Sequence, residues 1–376
     1  TTESYTLVLH DALPIVVHPD DAECQKFKSG NMHWSQFLSL VLIKNRGISP
    51  GHKFTSERRG ASKISGPSTS FAGPKSPVII EHPGRRATKK IMFLTLRTFS
   101  ITGGIEKVSK VAGKAIYEWC TETGNQLSVR SMYDDSSDID EKYFPAQNFK
   151  GFGIRRLKFT RKCVAAGVRQ DMVILSHVNL LAIGYLIKLF SPKTKLVLIA
   201  HGIEVWKTFF GIKRRMLLKC DQILSVSKYT KDTIEKLNRF PREKIQVLNN
   251  CLDPFLIPPL EKEKDATLLE KYKLKKYDVV LMTLTRMASS EKYKGYDKVV
   301  ESLHQLRERG LNLKYLLIEK YDEKEKVRLD ALIKKLNLQQ QVVFTGFVPD
   351  EALAEHFNLS DIYIMPSEKE GFGIVF

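Results

Sequence analysis

From residue 89 onward, short apolar runs of strand length alternate with longer amphipathic stretches. This alternation is typical of βα units, in which parallel strands are buried between layers of helices. The pattern therefore predicts an α/β fold with parallel sheets. The predicted strands are KIMFLTL, QLSVRSM, DMVILS, KLVLIA, QILSV, KIQVL, VVLMTLT, KYLLIE, QVVFTG and DIYIMP. The predicted helices are 104–121, 150–166, 180–190, 206–219, 228–238, 295–309, 322–336 and 350–358.

A charged segment that contains prolines, DPFLIPPLEKEKDATLLEKYKLKKY, interrupts this alternation and is typical of an interdomain connection. The chain has 376 residues, of which 43% are hydrophobic, and can therefore bury two ordinary cores. We predict two Rossmann-like domains in tandem, at residues 89–255 and 256–376. Domains of this kind bind ligands outside the carboxyl ends of their strands, so we expect the site in the cleft between them.

Residues 1–88 have a different composition. Gly, Ser, Pro, Lys and Arg cluster there without a helical or strand period, which predicts a disordered or non-native leader. Residues 6–15, TLVLHDALPI, resemble the in-frame translation of a sequencing adapter. On this interpretation the native sequence starts near Lys89 or Lys90. The alternative is a genuine disordered basic leader.

Composition also limits the partners and the compartment. The five cysteines are scattered without metal-binding spacing, which supports neither a disulfide framework nor a zinc site and favours a reducing cytoplasm. No apolar run is long enough for a membrane span. The net charge of +18 favours sugar nucleotides, anionic lipids or nucleic acid as partners. Asp138-Ile139-Asp140 has a metal-binding spacing, but it lies in a polar run, so we expect a solvated loop and no metal requirement.

Several residues at predicted strand ends have the chemistry to hold a charged ligand. Arg286 and Lys294 could share a pyrophosphate, although solvated loop cations would look the same in sequence. Gly103 and Gly104 precede a helix, where backbone N–H groups can approach a phosphate, or they form a simple turn. His201 could hydrogen-bond a sugar hydroxyl or be a structural histidine. His177 has the same strand-end position and is a weaker candidate for the acceptor side.

The carboxyl-terminal stretch PSEKEGFGIVF resembles the start of the E-x7-E motif of the GT4 family of retaining glycosyltransferases. This resemblance implies the GT-B architecture, with Glu370 on the donor sugar and a second glutamate beyond Phe376, so that the second domain is incomplete. The Arg…Lys-Gly element, the Gly-Gly loop and His201 also occur in the order found in that family. By the same resemblance, further residues would line the donor sugar, its phosphates or the base, namely Phe372, Gly373, Ile374, Gly346, Phe347 and Val348.

The resemblance implies transfer of a hexosyl unit from an NDP-sugar to a saccharide or lipid-linked acceptor, with retention at the anomeric carbon and without a cofactor. Cell-surface polysaccharide or glycolipid synthesis is the expected setting. The alternatives are a basic nucleic-acid-binding protein, an NDP-sugar epimerase and a phosphorylase of similar fold. One departure is the segment 319–322, EKYD, where relatives often have a Gly-Xaa-Gly turn.

The stretch WKTFFGIKRRMLLK, residues 206–219, mixes aromatic residues with cations. It could lie on an anionic membrane or contact a charged acceptor, although a helix with one buried face and solvated cations fits as well. The expected partners are therefore a nucleotide-sugar, a saccharide acceptor and an anionic membrane surface, with no nucleic acid. The expected location is the cytoplasm, with peripheral contact at the inner face of the membrane.

Overall fold

The computed structural model describes the backbone of residues 7–9 and residues 88–256 and 263–375. Twelve strands form two sheets in this part of the chain. The strands are β1 (Leu7–Leu9), β2 (Lys90–Thr95), β3 (Gln126–Ser131), β4 (Phe149–Gly151), β5 (Met172–Leu175), β6 (Lys195–Ala200), β7 (Gln222–Ser225), β8 (Ile245–Val247), β9 (Val280–Leu284), β10 (Lys314–Ile318), β11 (Val342–Gly346) and β12 (Ile362–Ile364). The α-helices are α1 (Gly104–Glu122), α2 (Arg156–Gly167), α3 (Leu181–Phe190), α4 (Gly211–Leu218), α5 (Lys228–Asn238), α6 (Ala266–Lys271), α7 (Tyr296–Glu308), α8 (Glu323–Lys335) and α9 (Leu353–Leu359).

The first sheet is parallel throughout, in the order β4-β3-β2-β5-β6-β7-β8. Helix α1 packs on one face, and helices α2 to α5 pack on the other. Strands covered on both faces must be apolar along their whole length, and the run Ile91–Thr95 is accordingly buried at every position. The prediction of parallel α/β layers is confirmed.

The second sheet has the order β1-β12-β9-β10-β11, and all of its pairs except β1 with β12 are parallel. Its core lies between the sheet and helices α6 to α9. The carboxyl ends of β9 to β12 lead into the loops that carry the candidate ligand-binding residues. No helix in the described ranges is long and apolar enough to cross a bilayer.

Strand β1 differs from the expectation for the leader, where we predicted no regular structure. Leu7 to Leu9 pair antiparallel with Ile362 to Ile364. The physical reason is the open edge of β12, since an unpaired edge strand offers N–H and C=O groups to any extended apolar segment. The adapter-like segment extends beyond these three residues, and the rest of 1–87 lies outside the described residues.

Two element boundaries also differ from the predictions. Strand β4 lies partly within the predicted helix 150–166, which begins only at Arg156, because a three-residue strand at a sheet edge has too little apolar sequence to be detected. The predicted helix 206–219 begins only at Gly211, since residues 203–205 form a separate 3-10 turn.

The segment that replaces the Gly-Xaa-Gly turn contains strained backbone. Glu319 has φ +106, a region that residues with a side chain rarely adopt, while its N–H donates to the carbonyl oxygen of Gly346 at 3.0 Å. Glu319→Gly should therefore raise the free energy of unfolding by about 1 kcal/mol, as relief of strain outweighs the added unfolded-state entropy. Urea denaturation measures the change. Lys320→Gly, at an ordinary φ, is the matched control and should lower the free energy of unfolding. An equal decrease in both variants would show that the backbone at Glu319 is not strained.

Candidate functional site

The carboxyl edges of the two sheets approach each other, and several contacts join them. The Ser227 hydroxyl, at the start of α5, donates to the carbonyl oxygen of Gly371 at 3.3 Å. Lys107 on α1 forms an ion pair with Asp350 at 2.7 Å. Gly104 faces the side chain of Ile374. These contacts bring the Gly-Gly loop and the Glu370 loop, which are far apart in sequence, to one place.

Lys294 and Glu370 form the central ion pair of this region. The Lys294 ammonium donates to both carboxylate oxygens of Glu370, at 3.0 and 2.9 Å, and both side chains are largely shielded from solvent. Gly295 makes the pair possible, because it has φ +76 and a Cβ there would overlap the carbonyl oxygen of Pro366. The start of α7 can therefore lie directly against the turn that carries Glu370.

Arg286 lies in the loop after β9 but does not contact Glu370 in this structure. Its guanidinium donates to Glu291 in the same loop at 2.5 Å, and 59% of its side chain is exposed, compared with 15% for Lys294. Pairing with Glu291 is the main cause that raises the pKa of Arg286. The guanidinium is thus held in place at the rim of the cleft with much of its surface open to a ligand.

The Gly-Gly loop is also occupied by a carboxylate. Gly103 is extended and gives α1 no side-chain cap, and Glu106 in the first turn folds back so that its carboxylate lies where a Cβ of residue 103 would be. Burial raises the pKa of Glu106, while the charges of Arg97 and Arg286 act in the opposite direction. Each of the three candidate anion-binding elements therefore lies against a carboxylate of the protein itself. Glu106 lies at the first turn of α1, Glu291 pairs with Arg286, and Glu370 pairs with Lys294.

Glu291 is expected to compete with a diphosphate for Arg286. Glu291→Gln removes the charge but keeps the shape, so nucleoside diphosphate affinity should rise by about fivefold, within the range for exposed ion pairs. Titration calorimetry with UDP and with GDP measures this. Glu308→Gln, on the exposed end of α7, is the control and should leave the affinity unchanged. A weaker affinity in Glu291→Gln would show instead that Glu291 orients Arg286 productively.

His201 is buried at the end of β6, and its protonation follows from its partners. Its Nε2 lies 2.6 Å from the carbonyl oxygen of Ser176, so this nitrogen carries the hydrogen and donates it. Burial lowers the pKa of His201, and Nδ1 then remains an unprotonated acceptor. Within the described residues Nδ1 has no hydrogen-bond partner. A buried acceptor without a partner can receive a hydroxyl hydrogen from a ligand group that reaches it.

His177 lies beside His201 and should make folding sensitive to acid. Its Nδ1 accepts the N–H of Asn179 at 3.0 Å, and burial lowers the pKa of His177 to about 4. Below pH 6.5 the unfolded chain binds a proton that the folded chain does not, so this contribution to stability is lost as the pH falls from 6.5 toward 4.

Between pH 7 and pH 5 we expect His177 to account for about 2 kcal/mol of lost unfolding free energy. His177→Asn keeps an acceptor for the Asn179 N–H but does not titrate, so urea denaturation of this variant should show a smaller pH dependence by that amount. The same pH dependence in both proteins would contradict the assignment.

The predicted base-pocket residues separate into two groups. Gly346 ends β11 with φ +73, and Phe347 is exposed, with the Lys320 ammonium 4.6 Å from its ring centroid. Val348, in contrast, is only 5% exposed and packs in the core near Leu353. The Val348 side chain therefore faces the core, and the prediction that Phe347 and Val348 flank a base stays a prediction. Two strand spacings, about 10 Å, separate this loop from the end of β9.

The remaining predicted residues are placed as follows. Phe372 is partly exposed and Gly373 has φ +74, a conformation that favours glycine. Asp138 caps its own turn by accepting the N–H of Asp135 at 2.8 Å, and Asp140 pairs with Lys142 at 3.1 Å, as expected for a solvated loop. No group of three His, Cys, Asp or Glu side chains in the described ranges could hold a metal ion.

Sequence reasoning missed three acidic residues at this site. The Glu106 carboxylate lies against Gly103, and Glu291 accepts a hydrogen bond from Arg286. Glu204 accepts the N–H of His201 at 2.6 Å. Glu291 could have been found from its position between Arg286 and Lys294 in a short loop. Glu106 and Glu204 gave no such signal, since an acidic residue in a first helical turn is ordinarily explained by the helix dipole.

Two family models match the chain. The model for glycosyl transferases group 1 matches residues 270–376, and the model for glycosyltransferase family 4 matches residues 120–254. Each match covers one of the two sheets nearly in full. Together they include His201, Arg286, Lys294 and Glu370, whereas the Gly-Gly loop lies outside both matches.

Characterised relatives are glycosyltransferases. The mannosylfructose-phosphate synthase of Agrobacterium fabrum is 25% identical over 202 residues, which cover 46% of this chain and 43% of that protein. The GDP-mannose-dependent alpha-(1-6)-phosphatidylinositol monomannoside mannosyltransferase of Mycolicibacterium smegmatis is 26% identical over 184 residues, 48% of this chain and 46% of the relative. The chain spans a little under half the length of these relatives.

Solved structures show the same fold at low identity. Anabaena HepE in complex with UDP-glucose gives a TM-score of 0.56 at 16% identity, covering 72% of each chain. WaaG, a glycosyltransferase of lipopolysaccharide biosynthesis, gives 0.52 at 16% identity, covering 76% of this chain and 77% of that one. From the two family models, these relatives and the paired parallel sheets, the chain belongs to the GT4 family of glycosyltransferases and has the GT-B fold.

Proposed function

We propose that this chain transfers a hexosyl unit from an NDP-sugar to an acceptor hydroxyl with retention at the anomeric carbon. The observation that carries the proposal is the Lys294–Glu370 ion pair at the carboxyl edge of the second sheet. The loop that carries Glu370 also contacts the first domain, because Gly371 lies against His201 and Gly202. Retention itself rests on the resemblance to the GT4 family.

In the proposed mechanism the diphosphate takes the place of internal carboxylates. It would pair with Arg286 and Lys294, while the N–H groups at the start of α1 point to it across the cleft. Glu370, released from Lys294, would accept hydrogen bonds from sugar hydroxyls, and Nδ1 of His201 would accept another. Each interaction that strengthens as charge develops on the leaving phosphate lowers the barrier.

The chemical step needs no protein nucleophile. The bond between the anomeric carbon and the phosphate oxygen breaks, and the acceptor oxygen bonds to that carbon on the same face. The departing phosphate oxygen takes the acceptor proton. Arg286 and Lys294 would supply the positive charge that a divalent cation supplies in other transferases, so we propose that the reaction requires neither metal nor cofactor.

The proposed acceptor is a saccharide or a lipid-linked saccharide, in cell-surface polysaccharide or glycolipid synthesis. Membrane contact at the inner face is supported by the exposure of Phe210 and Ile212 at the start of α4, next to Lys213, Arg214 and Arg215. Aromatic and cationic side chains in this arrangement suit the surface of an anionic bilayer.

Nucleotide titration tests this function. UDP or GDP should bind in the micromolar range, Arg286→Ala should weaken that binding, and Arg309→Ala, at the far end of α7, should not. Steeply salt-dependent binding of oligonucleotides with no response to UDP or GDP would overturn the proposal in favour of nucleic-acid binding. Incubation with an NDP-sugar alone would reveal an epimerase, and a requirement for inorganic phosphate would reveal a phosphorylase.

A further inference from the structure

Two arginines meet on one tyrosine ring at the edge of the first domain. The guanidinium carbons of Arg97 and Arg156 each lie 5.2 Å from the ring centroid of Tyr133, and therefore no more than about 10 Å from each other. Arg97 and Tyr133 follow the ends of β2 and β3, and Arg156 opens α2 after β4. These residues follow three neighbouring strands and therefore lie at the carboxyl edge of the first sheet, where ligands of such domains bind.

Neither guanidinium is in direct contact with a described carboxylate, although the charge of Arg97 acts on Glu106. Within the described ranges no carboxylate forms an ion pair with Arg97 or Arg156. The nearby Asp134 is buried, and its oxygens accept from the N–H of Thr98 at 2.7 Å and from the N–H and hydroxyl of Ser100 at 3.0 and 2.5 Å. Stacking on Tyr133 therefore holds the two arginines close together. Their guanidinium N–H groups are not used in ion pairs with described carboxylates.

The segment that carries Arg156 is cationic and has exposed apolar side chains. Residues 150–169 contain seven Lys and Arg and no Asp or Glu. Ile154 and Leu157, which flank Arg155 and Arg156 in sequence, are 84% and 83% exposed. Adjacent arginines and exposed aliphatic side chains suit a ligand that carries a phosphate next to an apolar chain.

We propose that Arg97 and Arg156, stacked on Tyr133, bind a phosphate group of the acceptor. This inference rests on the proposed glycosyl transfer and adds the substrate class, a phosphate-bearing acceptor. Arg97 also acts electrostatically on Glu106, as does Arg286, so Arg97 lies in the part of the first domain that faces the Gly-Gly loop. The exposed Ile154 and Leu157 favour a lipid headgroup as the source of the phosphate over a free sugar phosphate.

The test uses the full chain saturated with UDP, so that phosphate probes cannot bind through Arg286 and Lys294. The probes are glycerol 3-phosphate in solution and phosphatidic acid in phosphatidylcholine vesicles. Arg97→Gln/Arg156→Gln should weaken binding of the phosphate probe by about tenfold or more. Arg161→Gln/Lys162→Gln removes the same total charge but takes both cations from α2. The change in the logarithm of Kd should be less than half of that in Arg97→Gln/Arg156→Gln.

The outcomes distinguish a lipid phosphate from a free phosphate, and failure of the phosphate site from failure of the proposed glycosyl transfer. Binding of vesicles alone, reduced by Ile154→Ser/Leu157→Ser, identifies a lipid phosphate, whereas equal binding of glycerol 3-phosphate identifies a free phosphate group. Equal losses in both double variants, or no binding of either probe while UDP still binds, would overturn the phosphate site and leave the proposed function standing. Arg156 is exposed, so Arg156→Gln alone repeats the test without disturbing packing.

Discussion

Replacing Lys294 by alanine should abolish most of the activity. One charge-assisted contact to the diphosphate is worth about 1.5–3 kcal/mol, so nucleotide affinity should fall by about 10- to 100-fold. Turnover of the NDP-sugar should fall further, by about 10²- to 10³-fold, because the ammonium would stabilise the charge that develops on the leaving phosphate. The same change leaves the shielded Glu370 carboxylate without its partner. Calorimetry gives the affinity, and release of nucleotide from the donor gives the rate.

The control for this prediction is Lys292→Ala. Lys292 lies two residues earlier in the same turn, but none of the ion pairs in the described ranges involves it. Lys294→Arg tests whether a positive charge alone is sufficient, since a guanidinium keeps the charge but is longer and planar. If Lys294→Ala bound UDP and GDP as tightly as the unchanged protein, the ion pair would be structural and the donor site would lie elsewhere.

The fold could be predicted from the sequence because the pattern that indicates each βα unit lies within a short segment of the chain. Each βα unit carries its own apolar run and amphipathic stretch, and ten such runs in order leave little choice of architecture. Strand β4 escaped prediction because its three residues, Phe149 to Gly151, carry almost no periodicity. Strand β1 escaped because its pairing depends on the open edge of β12, more than 350 residues away in sequence.

The candidate site was less predictable because its partners are distant in sequence. Arg286, Lys294 and Glu370 could be named from strand ends and the family motif, but the bidentate pairing of Lys294 with Glu370 spans 76 residues. The carboxylates of Glu106 and Glu291 depend on rotamers that sequence does not specify. A loop pattern also does not show which of two neighbouring apolar residues, Phe347 or Val348, turns into the core, and in this structure it is Val348.

Gly371 should tolerate no side chain, because it is one of the points where the two domains touch. A Cβ there would overlap the carbonyl oxygen of His201, and the Cα of Gly202 would also be within contact distance. Gly202 itself has φ +138, so this backbone cannot easily move aside. Gly371→Ala must therefore separate the His201 loop from the Glu370 loop.

A displacement of about 1 Å between groups that act on one substrate can cost about 10²-fold in rate, and we expect a loss of that size in Gly371→Ala. Affinity for UDP should change much less, since Lys294 and Arg286 belong to the second domain alone. Gly310→Ala is the matched control, because a Cβ there meets nothing within 4 Å, although its φ of +84 carries the ordinary cost of a strained turn. Unfolding free energies of the two variants should therefore be similar while their rates differ. Full activity in Gly371→Ala would show that the domains work at a greater separation and that His201 does not reach the donor sugar.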